Sequence, residues 1–417
     1  MSFRKIETLI SLTKGKKPLN ILQNVEDSYL PYVDIKAFET GIVDNYTDGE
    51  KCVSCNEGDL LIVCDGSRSG LVGKAITGYV GSTLARIDVS DEIDINYLYY
   101  FIQGKYQILN TNVKGTGTPH LKQDLLKSFN IYLPPIEKQK LIVAKIEELF
   151  SKLDKGVEEL NKIKEQLKIY RQAVLKEAFS GEITKTKKIE RDVYSLCQSI
   201  KDRNNKKIQS EEMELYELPS GWMWIHIGDI TDSVEYGSSK KSQKSGLVPV
   251  LRMGNIQNGI FDWSDLVYSS DEDEICKYIL RNNDVLFNRT NSPELVGKTA
   301  IYRGEQKAIF AGYLIRINQY DVINAKYLNY YLNSFTAKMY GNIVKTDGVN
   351  QSNINGKKLC SYPFPLCTPE EQELVVKEIE SRLSVCDKIE QTVNESLQKA
   401  ESLRQSILKQ AFEGKLV

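Results

Sequence analysis

Histidine is nearly absent from this chain: His120 and His226 are the only two in 417 residues. Neither has an acid and a nucleophile close by in sequence, so a histidine-based catalytic set is not expected. Proline is sparse at 11, and no stretch of 18 apolar residues occurs, so no membrane-spanning helix is expected. The opening MSFRKIETLISLTKGKKP lacks an apolar core followed by a small-residue cleavage site, and a cytoplasmic location is expected. The eight cysteines, at 52, 55, 64, 197, 276, 360, 367 and 386, are too dispersed for a disulfide framework. Cys52-Val-Ser-Cys55 is the one CxxC, whereas a tetrahedral zinc site needs four ligands, so reduced cysteines and no metal are expected. Net charge is missing too, with 55 basic against 56 acidic side chains. That excludes coating of nucleic acid by bulk charge, though not contact through a cluster on one face.

Signatures of catalysis are equally scarce. A phosphate loop needs G-x-x-x-x-G-K-[ST]. Gly297-Lys298-Thr299 supplies the end, but Ser292 stands where the first glycine belongs. Gly73-Lys74 has Arg68 at that place and Ala75 after it. Both are read as turns before strands. No G-x-S-x-G, H-E-x-x-H or deaminase pattern occurs either.

What the chain does contain is a duplication. Gln139 to Leu175 aligns without a gap on Gln372 to Leu408, 233 residues later, and Ala178-Phe179 with Gly181 recurs as Ala411-Phe412 with Gly414. Apolar residues at Ile142, Ile146, Leu149, Leu153, Leu160, Ile163, Leu167, Tyr170 and Val174 follow the three-four rhythm of a coiled coil. Val375, Ile379, Leu383, Cys386, Ile389, Val393, Leu397, Ala400, Leu403 and Ile407 do the same in the second copy. Pro134-Pro135 marks the start of the first helix. An isolated helix of that length, roughly 65 Å, needs a partner in water. The spacing predicts helices over 136–180 and 369–413, paired antiparallel, in a ring-like molecule with a pseudo-twofold.

A different globular block precedes each helix. In the first, strands are predicted at Tyr32–Ile35, Leu60–Cys64, Lys74–Ile76 and Thr83–Ile87, and a helix at Ile95–Gln107. In the second, strands are predicted at Val248–Met253, Val285–Phe287, Thr299–Tyr302 and Gly312–Ile317, and a helix at Ala325–Tyr340. The blocks repeat faintly: Pro31-Tyr32-Val33 parallels Pro249-Val250-Leu251, Leu71-Val72-Gly73-Lys74 parallels Leu295-Val296-Gly297-Lys298, and His120-Leu121 parallels Asn353-Ile354. The apolar and glycine positions repeat while the polar loops diverge, as one scaffold with two reading surfaces would. The boundaries read as 1–135, a helix 136–183, a polar tether 184–216, a second block 217–367 and a second helix 368–417. The expected class is α/β, with two α/β domains joined by two long antiparallel helices in a pseudo-twofold repeat.

The junctions carry a resemblance. Gly115-Thr-Gly-Thr-Pro-His120-Leu121, Leu133-Pro134-Pro135-Ile136-Glu137-Lys-Gln139, Leu218-Pro-Ser-Gly221-Trp222, Pro369-Glu-Glu371-Gln372 and Ala411-Phe412-Glu-Gly414-Lys-Leu416 occur in order and largely in duplicate. With them the chain resembles the specificity (S) subunit of type I restriction-modification systems over essentially its whole length. Two places depart from that pattern: the first domain lacks the Gly-Trp opening, and Gly348 to Ile354 replaces the Gly-Thr-x-x-His-Leu element. The resemblance implies two target recognition domains, each reading one half of a bipartite, asymmetric double-stranded DNA site, with the helices as a ruler for the spacer. It implies no catalysis and no cofactor on this chain. Two modification (M) subunits would hold S-adenosylmethionine, and two restriction (R) subunits would hold ATP and Mg2+. A coiled-coil adaptor that bridges two protein partners without reading DNA is the other reading the duplicated helix allows.

Candidate DNA contacts follow from position. Ser67, Arg68 and Ser69, and Asn288, Arg289, Thr290 and Asn291, occupy the turn after a strand and before the repeated Leu-Val-Gly-Lys. Arg and Asn there can make paired hydrogen bonds to base edges. Lys114, Thr116, Thr118 and His120, with Lys345, Thr346, Asn350 and Gln351, lie where each domain meets its helix and are expected to reach phosphates. Leu141, Phe150, Leu374 and Ile407 on the long helices, and Phe179 and Phe412 at their ends, are candidates for contact with the M subunits.

Overall fold

The computed structural model describes residues 3–24, 28–114, 118–185, 193–204 and 216–417. They divide into two compact units, 1–162 with 393–417, and 163–392. Each unit thus holds one α/β domain and a segment of both long helices.

In the first unit an antiparallel sheet runs in the order Ile10–Lys14, Leu84–Val89, Leu60–Val63, Val72–Lys74. Leu60–Val63 is buried along its whole length because side chains alternate along a strand and both faces are covered. Leu60 and Ile62 enter one apolar core; Leu61 and Val63 enter another. A smaller sheet packs around the second core, with Leu30–Val33 parallel to Gly78–Val80. Asp94 caps the helix Ile95–Thr111 through the amides of Asn96 and Tyr97, the usual role of an aspartate at that position.

The second unit repeats this plan. Its main sheet runs Thr231–Tyr236, Leu314–Gln319, Val285–Asn288, Thr299–Ile301, again all antiparallel. Val285 and Phe287 face one core and Leu286 another. Val248–Leu251 lies parallel to Ile309–Phe310 in the smaller sheet. The single helix expected over Ala325–Tyr340 is two, Ala325–Leu332 and Phe335–Val344. The Ser334 side chain caps the second by accepting from the Ala337 amide, which ends one helix and starts the next. The first domain lacks the Gly-Trp opening, yet Phe3–Lys5 pairs with Asn130–Tyr132 as Met223–His226 pairs with Pro363–Leu366.

The long helices span Ile136–Phe179 and Pro369–Phe412, 44 residues each. Within each unit they run antiparallel. In the second, Arg171 bonds Asp387 at 2.7 Å and Arg382 bonds Glu177 at 2.7 Å, so numbers rise on one helix as they fall on the other. In the first, Arg404 bonds Asp154. The start of one helix and the end of the other feed each core. Ile142, Ile146 and Phe150 join Ile407, Leu408 and Ala411; Val375, Val376 and Ile379 join Val174, Ala178 and Phe179.

Two expectations are corrected. The seam is narrower than the heptad pattern implies: Leu167, Cys386 and Val393 are buried, but Tyr170, Ile389 and Leu403 are exposed. A two-helix pair has no third wall to cover both apolar positions of each heptad. The stretch expected to be a tether contains the helix Val193–Asn204, whose Val193, Cys197 and Ile200 are buried in the second unit's core. Their spacing puts all three on one helical face, which the surrounding charged residues disguise.

Candidate nucleic-acid interface

Three loops meet at one end of the main sheet in each unit. In the first, Ile10–Lys14 leads into Gly15-Lys16-Lys17, Leu60–Val63 leads into 64–71, and His120 bridges both Lys114 and Asp65. Gly15 is required by a close approach: a β-carbon there would stand 2.2 Å from the Gly81 carbonyl oxygen. Asp65 ties the loops together. Its carboxylate accepts from Lys14 Nζ at 2.7 Å and meets His120 Nδ1 at 2.7 Å. The backbone follows suit, with the Gly66 amide donating to Pro119 and the Leu121 amide to Cys64. Burial would raise the Asp65 carboxyl, but the hydrogen bonds from Lys14 and His120 outweigh it and hold the group below its ordinary value.

The second unit builds the same platform from other residues. Thr231–Tyr236 leads into Gly237, whose β-carbon would meet the Phe310 carbonyl oxygen at 2.3 Å. Thr290–Asn291 pairs with Ser352–Asn353, which also pairs with Thr346–Asp347. Tyr236 takes the place of Lys14 as the last strand residue. Its ring lies 4.8 Å from the Arg289 guanidinium, and its hydroxyl accepts from the Gly356 amide at 2.7 Å. The Ile354 amide donates to Arg289, as the Leu121 amide does to Cys64.

The expected contact residues divide by exposure. Ser67 and Arg68 are exposed, and the Arg68 guanidinium lies 3.6 Å from Glu39. Lys114, Thr118 and His120 are exposed, while Thr116 lies outside the described residues. Arg289, Thr290 and Asn291 are half-buried, and Thr346, Asn350 and Gln351 are exposed. Three residues need correction. Ser69 is buried, its hydroxyl 2.8 Å from the Gly66 carbonyl, so it braces its own turn. Asn288 is buried, and its amide donates to Leu295. The Lys345 side chain is only 14% exposed, and its ammonium donates to Pro293 at 3.3 Å, so it is held against its own domain. In each case the strand's register or a neighbouring carbonyl draws inward a side chain that the sequence places in a polar turn.

The candidates for protein contact also divide. Phe150, Phe179 and Ile407 are buried, and Phe412 packs edge-on to Tyr97 and Phe101. Phe179 does the same to Tyr327 and Tyr331. Phe179 and Ile407 belong to the chain's own core, a correction to their expected surface role; Phe150 is buried but lines a groove of its unit, and Phe412 is half-buried against the core. Leu141 is exposed and Leu374 half-buried.

The sequence reading missed the lysines after the glycine that follows the first main-sheet strand of each unit. Lys16 and Lys17 in one unit, and Lys241 and Lys244 in the other, are exposed and make no ion pair among the described residues. Their signal was a glycine followed within a few residues by lysines in both halves, Gly15-Lys16-Lys17 and Gly237 with Lys240, Lys241 and Lys244, of which Lys240 pairs with Asp271 at 2.6 Å. Among the described residues no group of three or more His, Cys, Asp and Glu could hold a metal ion, and no helix is long and apolar enough to cross a membrane.

Comparison with known proteins gives the same family in each half. The model described as type I restriction modification DNA specificity domain matches residues 1–168 and 219–399. The chain is 26% identical to the type I restriction enzyme EcoBI specificity subunit of Escherichia coli, over 86% of this chain and 73% of that one. It is 25% identical to the MjaVIII specificity subunit of Methanocaldococcus jannaschii, over 99% and 92%. Among solved structures, a chain described under complex assembly and conformational transition of the type I R-M system shares the fold with a TM-score of 0.71, at 17% identity over 99% and 98%. The HsdS subunit from Thermoanaerobacter tengcongensis gives 0.52, at 18% identity over 99% and 97%.

Proposed function

Because the chain belongs to the type I restriction-modification DNA specificity family, and is a specificity subunit without catalysis of its own, we propose that each three-loop platform reads one half of a bipartite, asymmetric duplex site. The long helices set the length of the unread spacer. The observation that carries this is the repeat of one platform with different polar residues on it. A shared scaffold keeps the loops in register, while Asp65, His120 and Lys14 in one unit become Thr290, Asn353 and Tyr236 in the other. Two surfaces of one shape and unlike hydrogen-bonding chemistry suit two different half-sites.

Exposed Lys114, Lys16 and Lys17, with Lys241 and Lys244, supply phosphate contacts that position the duplex, and exposed Arg68 offers paired donors to a base edge. A net charge of -1 gives the chain little long-range attraction for DNA, so a partner must close on the duplex as well. We assign that part to two modification subunits, one for each unit, which bring S-adenosylmethionine. Restriction subunits bring ATP and Mg2+ to the larger cytoplasmic assembly.

A repeated groove supports one modification subunit on each unit. Tyr100, Glu147, Phe150, Asp154 and Arg404 line a cavity of about 450 Å³ in the first. Tyr330, Glu380, Leu383, Asp387 and Arg171 line one of about 600 Å³ in the second. The groove chemistry is kept where the loop chemistry changes, as two copies of one partner would require.

The test is methylome sequencing of cells that carry this chain with its methyltransferase partner. A two-part methylated sequence with a fixed gap is expected. Absence of any methylated motif in cells where the two proteins co-purify would reject the reading and favour a protein-bridging adaptor.

A further inference from the structure

The bridge between the post-strand loop and the returning arm has one backbone frame in the two units. The pairs Asp65–His120 and Thr290–Asn353 each face one another across antiparallel backbone. The next residue on the returning arm, Leu121 or Ile354, donates its amide to the loop arm at 2.7 and 2.9 Å. Both pairs are also joined through their side chains at 2.7 Å, His120 Nδ1 to Asp65 Oδ1 and Asn353 Nδ2 to Thr290 Oγ1. The frame is common; the chemistry is not.

We propose that these two pairs are specificity determinants, in which His120 and Asn353 offer hydrogen-bonding edges to a base pair and Asp65 and Thr290 are positioning residues. This rests on the DNA-reading role proposed above. The His120 side chain is 53% exposed, and Asn353 is half-buried. Because the Asp65 carboxylate can only accept, it selects the ring form with a proton on Nδ1. In the neutral ring Nε2 is then left as an acceptor, suited to the amino group of adenine or cytosine in the major groove. Asn353 gives one hydrogen to Thr290 and keeps a second N–H beside its carbonyl oxygen. An adjacent donor and acceptor match the N7 and N6 edge of adenine. Each unit thereby reads through one framework position with a different donor and acceptor pattern.

The experiment compares methylomes of cells carrying the full chain with its methyltransferase partner, as wild type and as His120→Gln, Asn353→Asp, Thr290→Val and Thr290→Ser. His120→Gln is expected to relax or change one position of one half-sequence by roughly ten-fold or more, leaving the other half and the gap unchanged. Asn353→Asp is expected to do so in the other half. Thr290→Val is expected to behave like Asn353→Asp, whereas Thr290→Ser, which keeps the hydroxyl acceptor, should retain the original motif. For any variant that lowers the yield of complex, competition binding of the purified remainder to half-site libraries gives the same readout. An unchanged two-part motif with uniformly weaker methylation would overturn the proposal and make the pairs braces for their loops. If the wild type itself methylates no two-part motif, the DNA-reading role fails first.

Discussion

Arg171 on the first long helix bonds Asp387 on the second at 2.7 Å, and 233 residues further along the repeat Arg404 bonds Asp154 with the helices exchanged. The two contacts are one device used twice, but their surroundings differ. Arg171 also reaches Glu390 at 2.9 Å, whereas Arg404 lies 4.5 Å from the centre of the Phe150 ring. Asp387 and Asp154 are mostly exposed, so the charge terms alone are worth at most about 1 kcal/mol each. The stacked guanidinium adds roughly 0.5–1 kcal/mol. Arg404→Lys should therefore destabilise the first unit while largely sparing the second. A double-mutant cycle with Phe150→Leu, followed by denaturant unfolding, checks it; additive losses would remove the stacking contribution.

Gln139→Ala and Gln372→Ala should each cost roughly 2–4 kcal/mol, since the lost amide leaves several buried backbone groups unpaired. Both side chains are buried. Gln139 accepts from the Asp94 amide and donates to Glu92 and Pro134; Gln372 accepts from the Asn324 amide and donates to Val322 and Cys367. Each locks the start of a long helix to the cap of its domain's helix. Shifts in denaturation midpoint measure the loss, and a change under about 0.5 kcal/mol, that of an ordinary surface substitution, would contradict it.

Asp65 predicts an acid-sensitive first unit. Its carboxyl is held below the ordinary 3.8, so on acidification the unfolded chain binds the proton first. The stability it contributes is complete above the ordinary value and is lost as pH falls through the lowered folded-state value. The gap in unfolding midpoint between wild type and Asp65→Asn should be wide at about pH 5 and should narrow as pH falls below the ordinary value. A constant gap would mean that hydrogen-bond geometry, and not charge, sustains the contact.

Lys16→Ala with Lys17→Ala, and Lys241→Ala with Lys244→Ala, should weaken DNA binding by the complex with its methyltransferase without altering the methylated motif. Each lysine that reaches a phosphate should lower the slope of log affinity against log salt by about one. Filter-binding titrations across salt concentrations measure it. An unchanged slope would remove these loops from the phosphate path.

The long helices were legible almost to the residue, 136–180 expected and Ile136–Phe179 found, because the apolar rhythm is sustained and a proline pair marks the entry. The main-sheet strands were legible for the same kind of reason, with ends shifted by a few residues: Lys74–Ile76 is Val72–Lys74, and Gly312–Ile317 is Leu314–Gln319. Local pattern could not say where Phe179 and Phe412 land, since Tyr327 and Tyr97 are distant in sequence and the docking depends on antiparallel helix pairing. The site was half legible. Arg68 and His120 stand exposed in loops marked by glycine and polar residues, but Ser69 and Asn288 turn inward. Asp65 is not marked in the sequence because a single aspartate after a strand carries no signal until the fold brings His120 to it.

The central claim, two reading platforms held at a distance set by paired helices, is tested most directly by deleting one heptad from within Ile136–Phe179 and the matching one from within Pro369–Phe412. Seven residues return each helical face nearly to its place and remove roughly 10 Å of helix. That length corresponds to about three base pairs. Methylome sequencing of the paired deletion should show both half-sequences kept and the gap between them shortened by about three base pairs. The same halves at the original gap would contradict a helical ruler and leave the spacing to the methyltransferase partners.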